Sequence, residues 1–442
     1  MKTLIEYLKL ILIPAFILGA MGWWFFATIG ERQTPAIQFS EDIRSIGRQK
    51  VLDLTFADAK SGLRSISVTI SQDNKSRVLA ATDFPQKGVK VRRLSLTLAP
   101  VALKLHDGIA SLTVSAVDYS LFKNKTTIMR PVTIDLTPPQ IYLLTSTNNV
   151  NPGGSCVVAF RTSEPTPVCG VQANEVFSPG YPVNTGGKPA MVVYFGLPPS
   201  PPGAGENVRI MIRDGAGNET SLALPLLFRK KKFRTDKMQL TDVYLNRRMP
   251  DFQPLSPELQ GKNPLEIFNY VNATMRLANE AALLQKCRQS EPGQLWEGTF
   301  LRMKDAAPMA QFGDQRTYFY GKKEVGKSVH MGFDLASLAN ASVEASNSGI
   351  VKYVGNIGIY GNTILIDHGQ GIFSHYAHMS VINVKVGQKL NKGDVIGKTG
   401  LTGLAVGDHL HFGIIVGGRF VNPIEWWDPH WIADNVIKKL VF

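Results

Sequence analysis

Short runs in which every second residue is apolar, each cut off by glycine or proline, constrain this chain more than any other feature. Ile66, Val68 and Ile70, then Leu112, Val114 and Ala116, have the period of a half-buried strand and not that of a helix. With 40 Gly and 26 Pro against a charged fraction of only 19%, the composition supports many short strands and turns. A length of 442 residues exceeds one ordinary core, so several domains are expected. The expected architecture is mainly β.

One stretch breaks the pattern at the N-terminus. Leu10 to Ile29 is a run of 20 residues without a charge, which as a helix spans about 30 Å, the thickness of a hydrocarbon core. It is longer than the apolar region of a signal peptide and ends near Trp23, Trp24, Phe25 and Phe26, aromatics suited to a membrane interface. An uncleaved, single-pass transmembrane anchor is therefore expected, and membrane helices tolerate a proline such as Pro14. Lys2 and Lys9 before the run favour a cytoplasmic N-terminus, which leaves the bulk of the chain outside the cytoplasm. For an exported chain, a formal charge of +13 fits anionic envelope material or a membrane surface better than nucleic acid.

Changes in composition divide the chain into a stub and anchor (1–34), two β-sandwich-like domains (35–136 and 137–228), a connector with a helix (229–292) and a C-terminal antiparallel β domain (293–442). The two sandwiches echo each other: Asp118 and Asn124 follow one strand, and Asp214-Gly-Ala-Gly-Asn218 follows another. The second resembles the immunoglobulin-like modules of bacterial envelope proteins, which carry an Asp-x-x-Gly-Asn turn in their last hairpin. Cys156 and Cys169 flank a turn-rich segment, where an oxidising compartment allows a disulfide and buried thiols are the alternative; Cys287 reads as a packed thiol. In the connector, Asn263-Pro264-Leu-Glu266 has the form of a capping box with proline at the first helical position, and a helix should run to about Cys287. Residues 229–263 show no clear period, and Arg229-Lys-Lys-Lys232 reads as a solvated linker, with a membrane-facing patch as the alternative.

The chemistry concentrates in the last domain. His330-Met-Gly-Phe-Asp334, Tyr376-Ala-His378 and His409-Leu-His411 hold four of the chain's eight histidines and one aspartate. Residues two apart on a strand share a face, so His409 and His411 should project side by side, as should Tyr376 and His378. Gly332 would permit a turn bringing His330 and Asp334 to one point. Two imidazoles and a carboxylate suit zinc and leave a fourth position open, as in hydrolytic sites. Of His409 and His411, one can ligate while its neighbour faces a substrate.

Ordered glycine-spaced motifs extend this cluster: Gly361-Asn-x-Ile-x-Ile-Asp-His-Gly369, Val386-Gly-x-x-Leu-x-x-Gly-Asp394-x-Ile-Gly397, Gly400-x-Thr-Gly403 and His409-Leu-His-Phe412. Together with His330-x-Gly-x-Asp334 and Tyr376-x-His378, they resemble the lysostaphin-type zinc metallopeptidases, the LytM or M23 family, over roughly the last third of the chain. The resemblance implies zinc held by His330, Asp334 and His411, with His378 and His409 catalytic, and peptidoglycan as substrate. Within it, His409 is our choice for general base, while His378 stabilises an oxyanion or protonates a leaving amine. It also implies an alternative, since some relatives have lost their ligands and activate a separate wall amidase; all five positions are filled here. Asp408 and Gly413 depart from the family pattern, which often has proline and an acidic residue there. A lipoyl-like carrier reading of Val386 to Gly397 fails for want of an attachment lysine in the required context. The single span favours a cross-link endopeptidase anchored in the inner membrane of a two-membrane envelope.

Overall fold

The computed structural model describes residues 14–24, 32–145, 148–185, 187–199 and 207–441. Residues 14–24 are helical, with Phe16, Leu18, Met21 and Trp23 exposed. The rest of the anticipated span, residues 10–13 and 25–29, lies outside the described residues, and among the described residues no helix is long and apolar enough to cross a membrane. The chain divides into two compact units, Met1–Pro139 with Arg213–Glu219, and Gln140–Ile212 with Thr220–Phe442.

In the first unit, a three-stranded sheet (Ala36–Phe39, Lys50–Ala57, Val91–Leu98) faces a five-stranded sheet that includes Leu63–Gln72, Gly108–Asp118 and Lys125–Ile134. The alternation has its expected cause. Ile66, Val68 and Ile70 pair directly with Ala116, Val114 and Leu112, and all six are buried against Leu52, Leu54 and Phe56 of the other sheet. The sequence echo is a shared local device. Asp118 accepts from the Ser120 backbone N–H and from Asn124 Nδ2, and Asp214 accepts from the Asn218 backbone N–H and its Nδ2, so each buried carboxylate closes a turn that would otherwise leave donors unpaired.

The strands of the second unit between residues 141 and 212 and from 220 to 223 form two four-stranded sheets. Cys156 and Cys169 are free thiols buried in the core between these sheets, and Cys287 is also free and buried. The C-terminal domain is built on one antiparallel sheet, in the order Ala307–Ala310, Phe333–Ala336, Leu410–Val416, Ile372–Ala377, Asn362–Asp367, Gly349–Asn356 and Lys389–Leu390. Its central strands do not alternate in burial, because both faces are covered. Every residue of Leu410–Val416 and of Ile372–Ala377 is buried. On one face Ile364, Ile366, Ile414 and Val416 pack with Trp296, Trp426 and with Val157 and Tyr194 of the preceding sandwich. On the other, Leu365, Phe373 and Ile415 pack with Phe268, Val271 and Leu283 of the connector.

The connector is more ordered than its sequence implies. Thr235–Leu240 is a strand, paired in parallel with Gln315–Tyr320, inside the stretch read as lacking structure. Five of its six residues are exposed or half-buried, so backbone pairing and not an apolar period holds it in place. The capping box forms as expected: Asn263 Oδ1 accepts from Glu266 N–H, and Glu266 accepts from Asn263 N–H. The helix it starts is interrupted by a π-helical turn at Val271–Met275 between the α-helices Pro264–Tyr270 and Arg276–Lys286.

Candidate metal centre and its cleft

Three side chains converge on the connector-facing side of the C-terminal sheet. Asp334 and His411 are directly opposed on adjacent antiparallel strands, and His330 enters from the end of Lys323–Val329. Asp334 Oδ1 lies 3.0 Å from His330 Nε2 and 2.9 Å from His411 Nδ1, and those two nitrogens are 3.0 Å apart. All three residues are at most 8% exposed. His330 Nδ1 donates to the Gln311 carbonyl at 3.0 Å, which turns the Nε2 lone pair toward the common point. Burial alone would push Asp334 up, but His330, His409 and His411 around it hold the carboxyl well below its usual range. Burial lowers His411 to about 4, so its ring is neutral and able to ligate. Lone pairs of two imidazoles and a carboxylate facing one another at such distances repel unless a cation or proton lies between them, and this donor set fits zinc.

Gly332 has a different job from the one its position suggested. It is not among the glycines with positive φ, so no special turn is required of it. A Cβ there would stand 2.4 Å from His411 Cε1 and Nε2. The glycine makes room for the His411 ring.

His378 and His409 border the same centre, their rings 4.8 Å apart. His409 Nδ1 donates to the Gly407 carbonyl at 2.7 Å, and its Nε2 is 3.6 Å from Asp334 Oδ1. His409 and His411 therefore do share a side, both reaching Asp334. Burial lowers His409, but the Asp334 carboxylate outweighs it and the net shift is upward. His378 Nδ1 donates to the Thr402 carbonyl at 2.7 Å, while burial and then the neighbouring His409 and His411 push its pKa well down.

Tyr376 and His378 do not share a face, contrary to the period-two expectation. Tyr376 packs with Phe412 in the core on the sandwich side, its hydroxyl bonded to Ser346 and Ser374. His378 stands just past the strand at φ 62°, a left-handed conformation that carries its ring around to the side of His411, 5.8 Å away.

The cleft in front of these residues encloses about 480 Å³. Sequence reasoning missed several residues that line it. Arg316 lies 3.5 Å from Asp334 Oδ2, and Tyr244 and Arg276 enter from the connector. Arg316 falls within a stretch carrying the family resemblance, whereas nothing in the sequence distinguished Tyr244 or Arg276. His375 is fully buried between Tyr360 and His411, its ring 5.7 Å from that of His411. Gly413 pairs with it, and a Cβ there would lie 3.4 Å from His375 Nδ1, an ordinary contact distance, so close packing does not explain the glycine. Asp408 accepts from Asn340 N–H and Thr399 Oγ1 and so ties loops at the rim of the cleft.

Residues 328–423 match the model of Peptidase family M23. The chain is 40% identical over 110 residues to the peptidoglycan DD-endopeptidase ShyA of Vibrio cholerae, covering 25% of each chain. It is 38% identical over 97 residues to the DD-carboxypeptidase/endopeptidase Mpg of Neisseria meningitidis, covering 22% of each. It is 34% identical over 108 residues to the murein hydrolase activator NlpD of Salmonella dublin, covering 24% of this chain and 28% of that one. The match thus spans about a quarter of the length of these relatives. The clustered ligand set lies inside the matched segment, and the chain carries a C-terminal domain of peptidase family M23.

Proposed function

We propose that this chain is a membrane-anchored, zinc-dependent endopeptidase that hydrolyses peptide cross-links of peptidoglycan during cell-wall remodelling. The convergence of His330, Asp334 and His411 within 3.0 Å of one another, beside two further histidines in an open cleft, carries the reading. A bound zinc ion supplies Lewis acidity and makes water reactive near neutral pH. His330, Asp334 and His411 hold it. Because each Nδ1–H is committed to a carbonyl, neutral His378 and His409 both present an Nε2 lone pair to the cleft. His409, next but one to His411 and with its Nε2 3.6 Å from Asp334, takes the proton of the attacking water. His378 is held neutral at rest, so it donates to the oxyanion or the leaving amine only after gaining a proton.

Arg316 braces Asp334 from behind, and Arg248 braces the loop that orients His378, donating to the carbonyls of Leu401 and Gly403 on either side of Thr402. The uncharged run Leu10 to Ile29 supports a single-pass inner-membrane anchor, with residues 35–228 as β-sandwich spacers holding the enzyme toward the wall on the far side of that membrane. The relative named as a murein hydrolase activator supports a second reading, a non-catalytic regulator of a separate amidase.

Mass spectrometry of fragments released from defined, cross-linked peptidoglycan separates the two. The endopeptidase converts cross-linked peptides to monomers, each cut adding one water and leaving the glycan–peptide bond intact. Release of whole stem peptides, and only when an amidase is added, would instead establish the regulator.

A further inference from the structure

The cleft is not closed by the family segment alone. Leu240, Tyr244 and Arg276 of the connector line it together with His409 and His411. Three arginines border it, and two are committed. Arg234 pairs with Asp236 and Asp314 at 2.8 and 2.9 Å, and Arg316 faces Asp334. Arg276 has no carboxylate within ion-pair distance among the described residues. Its Nε and Nη2 rest on the carbonyl and side-chain oxygens of Asn272, at 3.3 and 3.2 Å. Glu280, one turn further along the helix, is the acid it influences, and burial raises that carboxyl.

Two observations direct Arg276 to the cleft. The π-helical turn Val271–Met275 ends immediately before it, and such turns are rare, re-aim the side chains that follow, and gather at functional sites. The half-buried Tyr244 phenol lines the same cleft as Arg276 and Arg316, and burial pushes its pKa up while those guanidinium groups oppose the shift. The acids of the cleft are already answered: Asp236 by Arg234, Asp334 by Arg316 and the ligand set, Asp408 by its two hydrogen-bond donors. Among the described residues, Arg276 is left with the Asn272 oxygens and the neighbouring Glu280 but no ion pair.

We propose that Arg276, with Tyr244 beside it, is a specificity-determining residue that binds a free carboxylate on an acidic peptide substrate, close to the amide that is cut. A guanidinium offers paired N–H donors matched to the two oxygens of a carboxylate, and a half-buried setting strengthens the attraction over its value in water. The inference rests on the hydrolase reading above. It gives the connector, which lies outside residues 328–423, a part in choosing the substrate.

The test uses the full chain and two synthetic cross-linked peptides that differ only in that carboxylate, free in one and amidated in the other. Cleavage kinetics and calorimetric binding are both read. Wild type should prefer the free carboxylate by about 10- to 100-fold in kcat/KM, the range of one hydrogen-bonded charge. Arg276→Gln should lose the preference through KM while retaining zinc, and Tyr244→Phe should reduce it severalfold. A wild type that does not discriminate, or an Arg276→Gln that keeps zinc and the full preference, overturns the inference. Should Arg276→Gln lose zinc, an undiminished preference in Tyr244→Phe overturns it instead. If wild type binds the free carboxylate in an Arg276-dependent way but cuts neither peptide, the hydrolase reading fails and the carboxylate site stands.

Discussion

At the scale of single residues, the centre depends on space as much as on donors. Gly332→Ala would place a methyl 2.4 Å from the His411 ring, and neither the ring nor the strand backbone behind it has room to yield. The substituted protein should fold but bind zinc at least about tenfold more weakly, as when groups around a metal ligand are disturbed, which competition with a chromogenic chelator would measure. Unchanged zinc affinity would show that the close approach is not required. The convergence of His330, Asp334 and His411 was legible because His330-x-Gly-x-Asp334 and His409-Leu-His411 are short motifs with a local geometry. The placement of His378 was not, because it turns on one positive φ just past a strand, and strand periodicity assumes a continuous extended backbone.

At the scale of elements, the outer sandwich was legible where each strand has one buried face, as in Ile66, Val68 and Ile70. The central strands of the C-terminal sheet bury both faces, so Leu410–Val416 shows no alternation of buried and exposed residues. Thr235–Leu240 was invisible for the opposite reason: it buries almost nothing and owes its place to a parallel partner some 80 residues away. The connector helix was visible through its cap, but its π-turn left no mark in composition. Leu283 of that helix is fully buried in one cluster with Leu365, Phe373 and Ile415. Leu283→Ala should therefore destabilise the C-terminal domain by about 2–5 kcal/mol, seen as a lower denaturation midpoint of that domain. A midpoint equal to wild type would mean that the connector is not part of that core. Arg248→Ala should leave the midpoint nearly unchanged and lower kcat by about tenfold, the cost of about 1.4 kcal/mol in holding His378 through Thr402.

At the scale of the whole molecule, Glu425 ties the C-terminal sheet to the preceding sandwich. It accepts from the Ser155 backbone N–H at 2.7 Å and from Asn151 Nδ2 at 3.2 Å, beside a bond from Trp426 Nε1 to Ser155 Oγ at 3.0 Å. Burial raises its carboxyl to about 7 from an ordinary 4.5, more than these donors offset. Between those values the folded protein holds a proton that the unfolded chain has released, so this group's contribution to stability is greatest below about pH 4.5 and falls as pH rises to about 7. Glu425→Gln should remove that slope. It should be about as stable as wild type at low pH and up to about 3 kcal/mol more stable at pH 8, read from melting temperatures across the range. Parallel curves for the two proteins would contradict the assignment. The central claim is a division of labour between two histidines separated by one residue, one holding the metal and one using it. Zinc content and turnover of purified cross-linked peptidoglycan, measured together on His411→Ala and His409→Ala, test it most directly. The expected result is that His411→Ala loses zinc and activity together, while His409→Ala keeps zinc and loses about 100-fold or more in turnover. Digestion by both variants at the wild-type rate would contradict the account.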